Sequence, residues 1–431
     1  MKPLTRRRAR AMLRLHGPQS MIFRRRVAIG SGAIAIGLMA LLFAASADWV
    51  SGQFGHLRHT YPYVPLALTP IGFVVIAYVT KQVVPLARGS GIPQVIAAKS
   101  GASAAAGALV SMKTALMKAL LTLAALLCGG SIGREGPTVQ LAAAVMAQCH
   151  RLMRIPMRSS MYIAGGAAGV AAAFNTPLAG IAFAIEELAA AYEQRVTLLV
   201  MTAILISGMV SQGVAGDYIY FGVTGSALSI RSALLVAPMA GALGGLTGGC
   251  FSRLLLSATR ATGRLGAQIR ASPLLTAGVC GALVAALGVT TGLTWGTGYD
   301  PARAMIEGRD VPLWFGFAKF GATLATAVAG LPGGIFSPSL STGAGFGNML
   351  RFMFPGEPAS AVVLLGMVAY FTGVVRAPLT AVVIIAETTV SRGLMMPMLA
   401  AALIANQTSQ FVCRDKLYEA LARTFTQRGE G

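Results

Sequence analysis

Apolar stretches recur along almost the whole chain, and glycine and proline interrupt several of them. A membrane-spanning helix needs about 20 apolar residues, and candidate stretches lie at 27–47, 64–80, 103–128, 138–149, 161–174, 196–215, 233–250, 273–293, 313–331, 360–374 and 394–412. Only 11% of the residues are charged, whereas soluble domains carry about 25%. The sequence therefore predicts an all-α integral membrane protein. Its shorter stretches predict broken or re-entrant helices, which occur in membranes only where they are buried or line a cavity.

Arginine is concentrated immediately before the first apolar stretch, in a chain whose net charge is +21. The arginines concerned are Arg6, Arg7, Arg8, Arg10, Arg14, Arg24, Arg25 and Arg26. Because positive residues stay on the cytoplasmic side of membrane spans, residues 1–26 are predicted to be a cytoplasmic segment. The protein is expected to be a multi-pass protein of the cell (inner) membrane. Nucleic-acid binding, another use of such a run, is disfavoured because the run adjoins a span, and no cleavage site indicates a signal peptide.

Residue types that bind metals or act as nucleophiles are sparse. The cysteines are dispersed, so the sequence predicts neither a disulfide framework nor a metal site; they are Cys128, Cys149, Cys250, Cys280 and Cys413. His56 and His59 are predicted to share a short polar loop. No GxSxG motif, Walker motif or pairing of histidine with an acid occurs in the apolar segments. These features argue against an enzyme and predict no cofactor.

Two parts of the chain match each other at a constant offset of 201 positions, the difference between 118 and 319. The offset pairs Lys118 with Lys319, Gly129 with Gly330, Gly133 with Gly334, Pro137 with Pro338, Pro177 with Pro378 and Glu186 with Glu387. Lysine, proline and glutamate are too rare in this composition for such matches to be expected by chance. We therefore predict a duplication, with halves at about 27–230 and 231–412, and a substrate site at the interface of the halves. The offset leaves open whether the halves run parallel or inverted.

Four Gly/Pro motifs lie within or beside the apolar stretches. They are Gly89-Ser90-Gly91-Ile92-Pro93, Gly133-Arg134-Glu135-Gly136-Pro137, Phe174-Asn175-Thr176-Pro177 and Gly334-Ile335-Phe336-Ser337-Pro338, and Arg376-Ala377-Pro378 repeats the third. Because proline is favoured in the first turn of a helix, each motif predicts a helix N-terminus at membrane depth. The unpaired N–H groups and partial positive charge of such an end bind anions. Close helix packing is the alternative for any single motif, but motifs in matching repeat positions favour an anion site.

Few acidic residues lie in apolar surroundings, where ionisable groups are commonly functional. Glu135 stands at a predicted helix N-terminus, so its carboxylate would compete with an anion for the same N–H groups until protonation removed the competition. For Glu186 and Glu187, the sequence leaves open a function or a helix-end carboxylate paired with Arg195. Glu387 has the repeat position of Glu186, which favours a structural role for both.

The motifs GSGIP, GREGP and GGIFSP, in this order, resemble those of the CLC family of chloride channels and chloride/proton antiporters. The segments FNTPLAGIAFAIEE, RAPLTAVVIIAETT and KLYEALART are also similar to that family, and the likeness extends over about residues 27–425. The resemblance implies a single transmembrane domain, an inverted-repeat bundle and a homodimer with one pathway per subunit. Only a tail, 426–431, is expected after this domain, which indicates a prokaryotic type without cytoplasmic regulatory domains.

The resemblance also implies roles for individual residues. Chloride would be bound by the hydroxyls of Ser90 and Tyr418 and by the backbone amides of Ile335 and Phe336. Glu135 would be the outer gating glutamate. Glu187, aligned through the Glu-Glu pair, would be the inner proton-transfer glutamate. Supporting motif residues are Gly89, Gly91, Pro93, Gly133, Arg134, Gly136, Pro137, Gly334 and Pro338.

Chloride/proton antiport is the predicted function, with chloride and protons as the transported partners. Ser90 matches chloride-selective relatives, and pure channels of the family usually lack the glutamate found here at Glu187. A passive voltage- or pH-gated chloride channel is the alternative. Gln94 follows Pro93 where many relatives have Glu, a departure that does not touch the predicted site.

Overall fold

The computed structural model describes residues 18–100, 106–188, 194–216, 221–222, 225, 227–260, 263–389 and 391–426. Residues 427–431 of the predicted tail lie outside this part of the chain. So do five arginines of the predicted cytoplasmic segment, Arg6, Arg7, Arg8, Arg10 and Arg14. Within the described residues the secondary structure is helical, and the one extended pairing is an isolated bridge between Gly133 and Gly334. The predicted all-α class is confirmed.

The first half of the chain contains both long and short helices. They are α1 (Pro18–Thr60), α2 (Pro65–Val83), α3 (Ile92–Lys99), α4 (Ala106–Leu109), α5 (Met112–Leu127), α6 (Glu135–Leu152), α7 (Ser159–Phe174), α8 (Pro177–Phe183) and α9 (Gln194–Ala215). A 3₁₀ turn at Pro85–Ala87 precedes α3, and a π turn at Ala184–Leu188 continues α8. Both α3 and α8 follow Gly/Pro motifs of the sequence.

The second half of the chain also contains both long and short helices. Its helices are α10 (Ile230–Arg260), α11 (Gly263–Ala271), α12 (Pro273–Thr291), α13 (Tyr299–Ile306), α14 (Phe315–Val328), α15 (Phe336–Arg351), α16 (Ala359–Val375), α17 (Pro378–Thr389), α18 (Met395–Val412) and α19 (Leu417–Thr426). A 3₁₀ turn at Arg392–Leu394 precedes α18. Every residue of α16 after the first is buried, so this apolar helix lies in the protein core.

Six helical segments in the described part of the chain have the length and apolar character to cross a membrane. They are Met21–Thr60, Pro65–Val83, Gly107–Leu127, Leu198–Ala215, Ile230–Arg260 and Pro273–Thr291. Shorter apolar helices occur at Ser159–Phe174, Phe315–Val328, Ala359–Val375 and Pro378–Thr389. They fall below the about 20 residues that a span needs. The short apolar stretches of the sequence thus correspond to short helices, as predicted.

The boundaries of α1 differ from the sequence-based expectation. The helix begins at Pro18, so Arg24, Arg25 and Arg26 lie within it rather than before it. It continues to Thr60, so the loop predicted for His56 and His59 is wrong, and both belong to the end of α1. Contacts with distant parts of the chain hold this end. Phe54 packs against Trp295, with 5.0 Å between ring centroids, and Arg58 Nη1 donates to the Gly292 carbonyl at 2.6 Å.

Residues paired by the offset of 201 have the same local structure. Asn175 and Arg376 end α7 and α16, and both have a left-handed backbone, with φ of 58° and 65°. Non-glycine residues rarely adopt that conformation, so its recurrence at paired positions supports the predicted duplication.

Candidate anion and proton site

Each Gly/Pro motif begins a helix, as the sequence predicts. The first residues of these helices are Ile92, Glu135, Pro177, Phe336 and Pro378. In every case proline occupies one of the first three helical positions, where an N–H group has no intrahelical acceptor. The motifs therefore position helix ends whose remaining N–H groups can bind a ligand.

Two of these ends are joined by an antiparallel bridge between the repeats. Gly133 N–H donates to the Gly334 carbonyl, and Gly334 N–H donates to the Gly133 carbonyl, both at 2.7 Å. These residues are related by the offset of 201, so the exchange of bonds is symmetric. A Cβ atom at Gly334 would lie 3.0 Å from the Gly136 nitrogen and 3.1 Å from the Gly133 oxygen. Glycine therefore allows the N-termini of α6 and α15 to meet.

The hydroxyls of Ser90 and Tyr418 are buried between helices. Ser90 is 8% exposed and Tyr418 is fully buried. Neither hydroxyl oxygen has a hydrogen-bond partner of normal geometry among the described residues. Buried polar groups are usually paired, so these two hydroxyls are available to a polar ligand.

A cavity of about 100 Å³ connects three of the four predicted anion ligands. Ser90, Ile335 and Tyr418 all line it, and Arg88 lies on its wall. Phe336 is absent from the lining; its ring packs among aromatic side chains, 4.5 Å from that of Phe371. Its amide belongs to the first turn of α15, beside that of Ile335. The cavity thus brings two hydroxyls and a helix end together.

Gly91 brings Ser90 close to the second motif. Its φ of 110° is one that residues with a side chain rarely adopt. A Cβ atom at Gly91 would collide with the Gly136 carbonyl. Gly89, two residues earlier, accepts a hydrogen bond of 3.0 Å from the buried Lys118 ammonium. The first motif is therefore held against the N-terminus of α6, with Pro93 in the first turn of α3.

Glu135 is the first residue of α6, and its side chain is 1% exposed. Its Oε1 atom accepts a hydrogen bond of 2.8 Å from the Tyr299 hydroxyl. Its Oε2 atom has no hydrogen-bond partner among the described residues. The carboxylate thus lies at a helix N-terminus, as the sequence predicts, and Glu135 is not among the residues that line the cavity. The partnership with Tyr299 was not predicted, because nothing in the Gly-Thr-Gly-Tyr segment indicates which residue it faces.

Arg134 connects the second motif to α1 and is not among the residues that line the cavity. Its Nη1 atom donates to the Ala44 carbonyl and to Asp48 Oδ1, both at 2.6 Å. The guanidinium therefore attaches the N-terminus of α6 to α1.

Glu187 lies in the π turn after α8 and is 5% exposed. Its Oε1 atom has no hydrogen-bond partner among the described residues. The next residue, Leu188, accepts a hydrogen bond of 2.6 Å from Lys99, the last residue of α3. The helix α3 begins beside Ser90 and has 8 residues, so its two ends are about 12 Å apart.

Glu186 and Glu387 have the structural role that their matching repeat positions favour. Glu186 accepts hydrogen bonds from the amides of Leu379 (2.9 Å) and Thr380 (2.7 Å), at the start of α17. Glu387 accepts from the amides of Leu178 (3.2 Å) and Ala179 (2.8 Å), at the start of α8. Each repeat therefore caps a helix of the other. Arg195, the predicted alternative partner, has a side chain outside the described part of the chain.

The paired lysines Lys118 and Lys319 are both fully buried. The Lys319 ammonium donates to the carbonyls of Thr294 (2.9 Å) and Gly296 (2.7 Å), in the loop before α13. Lys118 bonds in the same way to the loop before α3. In the sequence, the two lysines indicate only the alignment of the repeats. A lysine within an apolar helix needs polar partners, and this was the signal that could have indicated their hydrogen bonds to the loops.

Three kinds of comparison relate the chain to known proteins. A family model described as voltage gated chloride channel matches residues 71–410. The chain is 29% identical over 423 residues to proteins called H(+)/Cl(−) exchange transporter ClcA from Yersinia pestis bv. Antiqua (strain Angola) and Yersinia pseudotuberculosis serotype O:3 (strain YPIII). The alignment covers 92% of this chain and 86% of each relative.

Solved structures share the fold. A slow cyanobacterial Cl⁻/H⁺ antiporter has a TM-score of 0.79 at 20% identity, over 95% of this chain and 99% of that one. A CLC-type fluoride/proton antiporter has a TM-score of 0.78 at 21% identity, over 93% and 98% of the two chains. These similarities confirm the predicted fold class.

Proposed function

The chain belongs to the voltage gated chloride channel family, the CLC family, and on that premise we propose that it exchanges chloride for protons across a membrane. Relatives named H(+)/Cl(−) exchange transporter support exchange over passive conduction. The observation that carries the proposal is the position of Glu135. Its buried carboxylate begins α6, beside the bridge that joins the helix ends of the two repeats.

Chloride is bound by neutral groups in this proposal. The hydroxyls of Ser90 and Tyr418 and the amides of Ile335 and Phe336 supply the hydrogen bonds. The partial positive charge at the start of α15 supplies the electrostatic attraction. Transport needs binding that is weak enough for release, and hydroxyl and amide ligands, which carry no full charge, meet that need. The unpaired state of both hydroxyls supports this assignment.

Glu135 couples the two ions through competition. When ionised, its carboxylate competes with chloride for the same helix ends. When protonated, it loses the charge that holds it there, and chloride occupies the site. Each cycle therefore moves a proton on the carboxyl group in one direction and chloride in the other.

Glu187 is proposed to pass protons between the inner solution and the region of Glu135. Its burial and its unpaired Oε1 atom support this role, because an isolated buried carboxylate is a functional candidate in a membrane protein. The residue after Glu187 contacts Lys99, at the end of α3 opposite Ser90, which supports a proton path that is not identical with the chloride path.

We also propose a homodimer in the cell (inner) membrane, with the N-terminus in the cytoplasm. Arg24, Arg25 and Arg26, near the start of the first span, support this orientation. Labelling of a single cysteine introduced before the span, with a membrane-impermeant maleimide, tests the orientation. Light scattering of the purified protein tests the dimer.

Ion coupling is tested with the purified full chain in liposomes under opposed chloride and pH gradients. For an exchanger, we expect chloride flux to drive protons against their own gradient, and the reversal potential to depend on both gradients. A reversal potential that follows chloride alone would identify a passive channel and refute the proposal.

A further inference from the structure

Tyr299 connects the gating carboxylate to the helix that carries the proposed anion amides. It is the first residue of α13. Its hydroxyl lies 2.8 Å from Glu135 Oε1 and 2.6 Å from Ser337 Oγ. Ser337 is the second residue of α15 and is 1% exposed. The tyrosine hydroxyl therefore bridges a residue of one repeat and a residue of the other.

The chemistry of the three groups determines the direction of these hydrogen bonds when Glu135 is ionised. A carboxylate only accepts hydrogen bonds, so the single hydroxyl hydrogen of Tyr299 points to Glu135. The hydrogen between Tyr299 and Ser337 must then come from Ser337. Two hydroxyls in series donate toward the carboxylate, and donors to the charged form favour that form over the protonated one.

The protein holds Tyr299 firmly in this position. Its ring packs against buried Phe221, with 5.4 Å between the ring centroids. Gly298, just before it, has a φ of 80°, and a Cβ atom there would lie 2.9 Å from Lys319 Cε. The ammonium of Lys319 binds the carbonyls of Thr294 and Gly296 in the same loop. The packing against Phe221 and the hydrogen bonds of Lys319 to the preceding loop thus hold the tyrosine hydroxyl in position.

We propose that Tyr299 is a positioning residue that holds the ionised Glu135 carboxylate in place and thereby sets the pH at which transport turns on. This inference rests on the proposed exchange function. Tyr299 binds neither chloride nor a transported proton in this role. It acts by stabilising the charged, competing form of Glu135, so that a higher proton concentration is needed to release the site.

The test is the pH dependence of chloride flux in liposomes for the full chain and for Tyr299→Phe. The substitution removes the hydroxyl and keeps the ring against Phe221. A hydrogen bond to a charged group is strong enough for its loss to move a titration by about one pH unit. Because a carboxylate that loses a donor takes up a proton at higher pH, we expect the midpoint of activation to rise by about one unit.

Companion variants separate positioning from a structural effect. Ser337→Ala should shift the midpoint in the same direction by less, and it decides the question if Tyr299→Phe does not fold. Tyr370→Phe, at a buried tyrosine of α16, should keep the wild-type midpoint. In a Glu135→Ala background, Tyr299→Phe should cause no further change.

Two results would overturn the inference. One is a midpoint equal to that of the wild type in Tyr299→Phe or, if that variant is unfolded, in Ser337→Ala. The other is a shift that persists in the Glu135→Ala background. Failure of the proposed function is distinguishable, because it appears as absence of coupled proton movement in the wild type, whatever the variants do.

Discussion

Two buried glutamates have different surroundings, and the difference matches the two roles proposed for them. Glu135 lies at a helix N-terminus and accepts a hydrogen bond from Tyr299. Glu187 lies in the turn after a helix, and its Oε1 atom, like Oε2 of Glu135, has no partner among the described residues. The helix N-terminus suits a carboxylate that alternates with an anion, and the turn after a helix, which offers no such end, suits one that only passes a proton.

Replacing Glu135 by alanine is expected to uncouple transport. The variant has no carboxylate to compete with chloride, so chloride flux should continue while chloride-driven proton movement falls to background. Paired chloride-electrode and pH-electrode recordings on liposomes measure both. Glu307→Ala, at an exposed acid paired with Arg303 and Arg309, is the control and should remain coupled. Persistent coupling in Glu135→Ala would show that the exchange point lies elsewhere.

Replacing Glu187 by glutamine is expected to slow the proton branch. The amide is nearly the same size but carries no transferable carboxyl proton, so proton flux should fall at least about tenfold, which is about 1.4 kcal/mol in barrier. Chloride should still pass. The same liposome recordings, with wild-type chain reconstituted in parallel, measure this change. An unchanged proton flux in Glu187→Gln would place the inner proton route on another residue.

The motif residues of the site could be predicted from the sequence, but Tyr299 could not. Ser90 and Glu135 stand in Gly/Pro motifs, whose physics identifies helix N-termini. Tyr299 is 164 positions from its partner, and no local pattern reports a contact over that separation. The reach of α1 to Thr60 also depends on distant contacts, with Trp295 and Gly292.

At the scale of helices, α8 and α17 exchange caps. Their first turns have amides without intrahelical acceptors, and glutamates of the opposite repeat accept from them. The two caps differ in one bond. Glu186 also accepts from the Thr380 hydroxyl at 2.7 Å, whereas the matching position, Ala179, has no hydroxyl.

Glu186→Gln and Glu387→Gln are expected to destabilise the protein. Loss of a charge at a helix N-terminus costs about 1 kcal/mol, so each should lower the unfolding temperature by a few degrees. Glu186→Gln should have the larger effect, because it weakens three hydrogen bonds rather than two. Thermal unfolding in detergent measures this, with Glu307→Gln as the surface control. If all three variants unfold at the same temperature as the wild type, Glu186 and Glu387 do not stabilise the protein as helix caps.

At the scale of the whole molecule, the bridge between Gly133 and Gly334 joins the repeats at the site itself. Both bonds are 2.7 Å long. The helix ends that would bind the anion are therefore fixed relative to each other. Movements during transport are then expected in side chains such as that of Glu135 rather than in the two repeats as rigid units.

Gly334→Ala is expected to reduce chloride flux at least about tenfold. Its Cβ atom would be 3.0 Å from the Gly136 nitrogen, and relief of such overpacking costs about 1–3 kcal/mol, enough to separate the two helix ends. Gly356→Ala is the matched control, because a Cβ atom there meets nothing within 4 Å. Flux equal to that of Gly356→Ala would mean that the spacing of the two ends does not limit transport.

The reciprocal caps of Glu186 and Glu387 also bear on ancestry. Contacts in which residue i of one half meets residue j of the other, and j meets i, are those of an isologous interface. Two identical half-length chains related by a two-fold axis would form both caps without any later adaptation. The caps are therefore those expected of an ancestor that assembled as a symmetric pair before gene fusion made the partnership permanent. After fusion the two copies were free to diverge, and the Thr380 hydroxyl, opposite Ala179, is such a divergence.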